Sequence, residues 1–512
     1  MTRNSYINLD SIAISYILWC LVCIVRTLEM HVGIIAVLNI TSIICAFTLA
    51  RTIQNKTWIL ACLTSVGIAQ AIYAILQLWG LAKSNHELFE ITGFLGNPGQ
   101  LGGFQAISFI STLVLYNQCH SKKWIIIISA SAALIFFSLI LSDSRAGLLA
   151  TIAGILMLTY KSWRPIIKTS RLRHLIAICL MCLLAWLMYL YRPDSFNSRI
   201  FIWRVCSNMF LEEPLFGFGY GGFNMNYMLY QGEFISSHTT IDYSTIANNV
   251  AYPYNEFIHI LIEQGIIGLS LYISMIIIGI KESHKHYIAI APLITILVFS
   301  GFSYPSYNIA LSIMLPLFIG ILPTRPLNCS NNIRIITIAI SLTILALSFI
   351  GISECRHRFH DMVYDSFNGK TTERVTEEIE DFFIDNYSDL KTNAIYASFA
   401  KQFPEALKDK TISRLFPSSD NWCAIGRHYM TLHEYEKAEK YFSQAANMVP
   451  GLIQPKYLLW KTYIMQGKDK DARKMAEAIS SMQVKVENTY TLRIRNEVIN
   501  HNRNSQNHLH KK

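Results

Sequence analysis

Eleven stretches of this chain are long and apolar enough to cross a bilayer, at residues 11–27, 32–50, 58–80, 99–117, 124–142, 146–160, 174–191, 257–280, 287–303, 306–323 and 333–352. A helix spans the hydrocarbon core with roughly 20 apolar residues. Hydrocarbon offers no partner to a bare N–H or C=O, so each stretch must close its hydrogen bonds within itself, as helix. The expected fold is all-α: a polytopic transmembrane helical bundle of about eleven spans, then a soluble α-helical domain. The membrane body is placed at 1–352, with a large external loop at 192–256.

Charge marks the boundary. Residues 1–352 carry 33 charged side chains, whereas the 160 residues from 353 onward carry 45. That step excludes both a single soluble globule and a disordered chain. The net charge of +10 sits largely in the apolar part. There Lys and Arg mark cytoplasmic loops, so nucleic-acid binding does not follow from it.

With the N-terminus inside, fourteen Lys and Arg lie in the inner loops. Six, Arg26, Lys83, Arg145, Arg192, Arg199 and Arg204, lie in the outer ones. Eleven spans then put the C-terminal domain outside the cytoplasm. The first span lacks a small-residue cleavage site and is read as a retained helix. The Cys20/Cys23 and Cys179/Cys182 pairs lie within spans and read as apolar filler rather than a metal or redox site.

The polar segment 353–499 carries a helical pattern, clearest over 422–484. Gly426, Tyr429, Tyr435, Ala438, Phe442, Ala445 and Pro450 follow in order. A shift of 34 residues sets Tyr429 on Tyr463, His433 on Gly467 and Ala438 on Ala472. The period resembles tetratricopeptide repeats, whose stacked helix pairs dock peptides or other helices. A third, degenerate unit is expected at 385–420; the array reads either as a docking surface for a protein partner or as a stabilising appendage. Residues 500–512 are polar and expected to be disordered.

Arginine is depleted from short translocated loops, so the outer arginines need a reason. Arg145 ends the run Ser142-Asp-Ser-Arg145-Ala-Gly147 between two spans. Arg199 and Arg204 stand five apart early in the long loop. Guanidinium groups suit phosphate oxygens; pairing with Asp143, Glu212 or Glu213 is the alternative. The run from Pro214 to Phe223 is glycine-rich but lacks the strand–turn–helix setting of a nucleotide site. Downstream, Tyr252-Pro-Tyr254-Asn255-Glu256 leads into an apolar helix that carries His259 and Glu263, the latter a costly charge unless it faces protein or water.

The order of these motifs resembles the bacterial O-antigen ligase / O-antigen polymerase / protein O-oligosaccharyltransferase family. It comprises Asn97-Pro98, Ser-Arg-Ala-Gly, Arg199-x-x-x-Trp203, Pro-x-x-Gly-x-Gly, and Asn-Glu-Phe before Glu-x-Gly-x-x-Gly, over about 90–325. The resemblance implies a membrane glycosyltransferase at the outer face of the bacterial cytoplasmic (inner) membrane. Its donor would be a polyprenyl-diphosphate-linked glycan and its acceptor a glycan, lipid or protein hydroxyl, with no metal and no cofactor.

Diphosphate binding would fall to Arg145 and Arg199, with Arg204 a neighbouring candidate. The family's histidine before Asn255 is replaced by Tyr252 and Tyr254, and tyrosine is a poor base near neutral pH. Glu256, His238 and His259 are the candidate bases, beside Asn255. Two other classes compete: a flippase or exporter of the same lipid-linked glycan, and a membrane-anchored repeat scaffold. A transporter is expected to show repeated halves and polar groups at mid-membrane, neither of which the spans display.

Overall fold

The computed structural model describes residues 9–27, 33–86, 89–163, 193–238, 242–283, 286–322, 330–368, 373–386, 389–403, 415–484 and 487–509, with isolated positions between 165 and 190. Every regular element among them is helical.

The apolar part comprises α1 (Leu9–Arg26), α2 (Ile34–Thr52), α3 (Thr57–Leu78), α4 (Pro98–Gln118), α5 (Lys122–Leu141), α6 (Arg145–Leu158) and the short α7 (Tyr160–Trp163). After the outer segment come α10 (Glu256–Glu282), α11 (Tyr287–Phe302), α12 (Ile309–Ser312), α13 (Met314–Ile321) and α14 (Asn331–Phe367). Six of these, α1, α2, α3, α5, α10 and α14, are long and apolar enough to cross a membrane. Lipid contact accounts for the apolar side chains that α5 and α14 leave uncovered, such as Ile126, Phe137, Ile336 and Ile350.

The other expected spans differ for identifiable reasons. α4 is long enough, but it buries Gln100, Gln105, Ser108, Ser111 and Thr112, which makes it a polar-seamed core helix. α6 and α11 are shorter apolar helices. The stretch 306–323 is shorter as a helix, running Ile309–Ile321. Asn308 starts a new helix there, its side chain accepting from Ala310 N at 3.0 Å. Residues 174–191 lie largely outside the described residues, as does Arg192.

Helix starts explain several motif residues. Asn97 caps α4, accepting from Gly99 N at 2.8 Å with Pro98 in the first turn. Ser144 caps α6 by accepting from Gly147 N at 3.2 Å. Gly147 abuts the α4 backbone: an added Cβ would stand 2.6 Å from the Gly102 carbonyl oxygen. The Ser-Arg-Ala-Gly run is thus a capped turn whose glycine admits α4.

The segment expected to be the external loop folds as α8 (Pro193–Glu212), α9 (Gly222–Ser237) and a turn-rich stretch, 242–255. α14 is 37 residues long, roughly 55 Å at 1.5 Å per residue, and so extends well beyond a bilayer core. It leads to α15 (Glu373–Asp385), α16 (Leu390–Gln402), α17 (Ser419–Thr431), α18 (Tyr435–Met448), α19 (Ile453–Met465), α20 (Asp469–Ser481) and α21 (Thr489–Leu509). The last helix continues to Leu509 where disorder was expected, anchored by buried Ile494 and Val498.

The starts of α17 and α19, and of α18 and α20, are 34 residues apart. The turn residues His433 and Gly467 both adopt positive φ, 60° and 69°. Ala438 and Ala472 are both buried. Residues 404–414, within the expected third unit, lie outside the described residues.

These helices share one apolar core with the segment 193–255. Phe201, Phe223, Tyr227 and Tyr243 lie in the same cluster as Phe359, Phe399, Phe442 and Met448. A further tie reaches the membrane body: Asn386 accepts from the Ile35 backbone N–H, at the start of α2, at 3.3 Å.

Candidate functional site

A break in α10 sets the site. Gly265 has φ 66° and ψ −170°, a conformation open essentially to glycine alone. The helix ladder is interrupted there, and the loop 214–219 answers the freed groups. Phe218 and Gly219 donate to the carbonyls of Ile262 and Glu263, each at 2.9 Å, and Ile266 N–H donates to Pro214 O at 2.9 Å. The two glycine motifs are therefore halves of one backbone junction. Through it Glu263 is fixed at the end of the first half of α10, with its Oε1 accepting from Phe223 N at 3.4 Å.

One turn earlier stands His259. Its Nε2 lies 3.2 Å from Glu263 Oε1, and its Nδ1 lies 3.6 Å from Glu256 Oε1. Ser306 donates its hydroxyl to Glu256 Oε2 at 2.9 Å, and the Tyr307 hydroxyl is 3.2 Å from His259 Nε2. Positions i, i+3 and i+7 of one helix face explain the grouping. Glu263 thus faces protein polar groups rather than lipid. Ser306 and Tyr307 were not anticipated from the sequence, because their approach depends on the turn before α12.

Asn255 caps α10, accepting from Phe257 N at 2.9 Å and Ile258 N at 3.1 Å, and donates its Nδ2 to Gly301 O at 3.0 Å. Its polar atoms are thus occupied in holding α10 against α11. His238 ends α9, exposed and stacked on Phe234, and lines none of the three cavities described below.

The arginines form a second group. Arg145, at the start of α6, donates to Ser195 Oγ at 3.1 Å. Arg145 and Arg199 line one small cavity of about 30 Å³ with Ser195, Phe196, Trp203 and Phe302. Arg199 lies over the Tyr254 ring at 5.2 Å. Burial, and then the neighbouring Arg145 charge, pull its pKa below the ordinary arginine value, although the guanidinium stays cationic.

Among the described residues no carboxylate forms an ion pair with Arg199. Trp203, one turn on, donates to Pro253 O at 2.9 Å and so holds Tyr254 beneath Arg199. Arg204 is exposed and lines none of this cavity. Five residues of helix rotate about 500°, or 140° past a full turn, which carries it off the Arg199 face.

Four tyrosines stand between the two groups. Tyr252 stacks on Tyr304 at 3.6 Å and meets Tyr254 at 4.7 Å and Tyr307 at 5.8 Å. Burial pushes the hydroxyls of Tyr252 and Tyr254 above the ordinary tyrosine value, and that of Tyr304 up to about 12. Neither tyrosine at the expected histidine positions is a usable base at neutral pH.

Two further cavities meet at His259. An apolar groove of about 220 Å³ runs among α1, α2, α10 and α12–α13, with Glu256, His259, Glu263 and Ser306 at its polar end. A polar chamber of about 70 Å³ adjoins it. Among the described residues no group of His, Cys, Asp or Glu has the arrangement of a metal site.

Residues 130–273 match the family model described as O-antigen ligase. No curated protein and no solved structure matches the chain. The matched segment contains Arg145, Arg199, Trp203, the 214–219 loop and the head of α10 with His259, Glu263 and Gly265. Together with the membrane-length helices, it supports a multi-pass membrane protein of the O-antigen ligase type, a glycosyl-transferring class.

Proposed function

We propose that this chain transfers or polymerises a polyprenyl-diphosphate-linked glycan onto an acceptor hydroxyl at the outer face of a bacterial cytoplasmic membrane. One observation carries the reading. Two arginines share a cavity on one side of a tyrosine wall, and a His–carboxylate cluster lies on the other. In the reaction the acceptor oxygen bonds to C1 of the donor sugar. The C1–O bond to the diphosphate breaks, its electron pair leaves with the diphosphate, and the acceptor proton passes to a base. Arg145 and Arg199 are assigned to the diphosphate, where fixed positive charge stabilises the leaving group. Of the candidate bases, Glu256 and His259 have the supporting geometry, while His238 stands apart. A neutral lipid-anchored acceptor or a protein hydroxyl would undergo the same bond changes.

The C-terminal helix pairs, with their 34-residue offset, are read as tetratricopeptide-like units on the outer side, offering a docking surface to a protein partner. The decisive test uses the full chain in vesicles that carry a polyprenyl-diphosphate-linked glycan and truncated lipopolysaccharide. Glycan transfer is expected from the wild type and not from Arg199→Ala. Equal transfer by that variant would overturn the assignment.

A further inference from the structure

The polar chamber is lined by Asn39, Tyr220, Asn224, His259, Glu263, Ser306 and Asp389, among others, and it shares five of these residues with the apolar groove. The two spaces therefore adjoin: an apolar trough whose polar head abuts a small polar room. Asp389 comes from the C-terminal domain. Arg356 binds its carboxylate, and Thr392 donates to it from both backbone and side chain, at 3.0 and 2.9 Å. The soluble domain thus supplies one wall of a chamber that otherwise belongs to the membrane body.

Asn224 is 3% exposed, and its side-chain carbonyl oxygen has no hydrogen-bond partner. A buried acceptor left unpaired costs about 1–3 kcal/mol, so its retention at a cavity wall points to a donor supplied from outside the chain. Asp389 is already paired with Arg356, and no arginine or lysine lines the chamber. With no cation on its wall to hold a phosphate and an unpaired amide oxygen at Asn224, the room suits a neutral hydroxyl donor.

We propose that this chamber is the acceptor subsite. It takes a neutral, hydroxyl-bearing sugar of a membrane-anchored acceptor, with the lipid chain in the adjoining groove and the C-terminal domain closing one wall at Asp389. The proposal rests on the transferase reading and adds a spatial division to it: the diphosphate belongs to the arginine cavity, and the attacking hydroxyl enters from the opposite side of the tyrosine wall.

The test measures both substrates separately, with the full chain in vesicles, a polyprenyl-diphosphate-linked glycan as donor and truncated lipopolysaccharide as acceptor. Asn224→Leu fills the chamber from one wall and Asn39→Leu from another. Each is expected to raise the acceptor KM at least about tenfold, as for a lost buried hydrogen bond, and to move the donor KM less than about twofold. If Asn224→Leu does not accumulate, Asn39→Leu decides alone. An unchanged acceptor KM in well-folded variants overturns the proposal. So does a parallel rise in both KM values, which would mark a general structural role. Loss of the transferase reading itself would look different: no wild-type transfer, or transfer undiminished in Arg199→Ala.

Discussion

Gln231, in α9, donates its Nε2 to the carbonyl of Met448, at the end of α18, at 2.7 Å. The two residues are 217 positions apart, and the bond is buried within a core built from both segments. Around it Ser419 N–H donates to Asn249 Oδ1 at 3.1 Å, and Asn249 Nδ2 donates to Asp420 at 2.8 Å. Segments packed in this way occupy the same aqueous compartment. With that compartment the outer one, as proposed, a reporter active only outside the cytoplasm, fused after residue 512, is expected to be active. A cysteine introduced at exposed Ser237 should be labelled by an impermeant reagent in intact cells. Opposite results at the two positions would contradict the shared core.

The arginines should separate by function. Arg199→Ala is expected to lower transfer by about 10²–10³-fold, as loss of a preorganised charge at a leaving group does, with protein level unchanged. Arg199→Lys should recover little, because lysine has neither the planar fork nor the same stacking on Tyr254. Exposed Arg204→Ala and His238→Ala should each stay within about threefold of wild type. Initial rates at saturating donor give the comparison directly.

Much of the membrane body was legible because apolar run length is a local property. Helices begin within a few residues of most expected spans, whereas Asn97, Ser144 and Asn255, read only as motif residues, prove to be helix caps. The exceptions needed tertiary information. Residues 306–323 read as one span by composition, yet Asn308 caps the helix and holds its start at Ile309, since a capping side chain outweighs composition at a turn. The site was half visible. Arg145 and Arg199 meet, but Arg204 does not, because a five-residue spacing turns it away. His259 and Glu256 were candidates as single residues. Their grouping with Glu263, Ser306 and Tyr307 depends on how the chain returns after α11. The wall that Asp389 lends to the chamber had no sequence signal, because it joins residues more than 80 positions apart.

Gly265 should tolerate no side chain. An added Cβ would stand 2.2 Å from the Leu215 carbonyl oxygen, and the backbone lies in a region L-residues avoid. Gly265→Ala is expected to cost more than about 2 kcal/mol and to disengage the 214–219 loop. Thermal unfolding of the purified protein should show a clear loss of Tm. Transfer should fall with it, since the junction fixes Glu263 beside His259. Gly301→Ala meets open space and serves as the control.

The Asp389–Arg356 pair predicts an acid limit for the C-terminal wall. Burial alone would raise the Asp389 pKa, but Arg356 and the donors of Thr392 outweigh it, leaving the carboxyl below its ordinary value. A depressed carboxyl contributes stability that is fully present above the unfolded value near 3.9 and is lost as pH falls through the folded value. Resistance of the C-terminal domain to proteolysis should therefore be level from pH 8 to about 5 and fall below about pH 4. Arg356→Ala leaves Asp389 buried without its cation and should cost about 3 kcal/mol at neutral pH. Asp389→Asn should lose the neutral-pH advantage and, with it, the contribution of this site to the acid transition. An acid profile identical in wild type and Asp389→Asn would show that another group sets the limit.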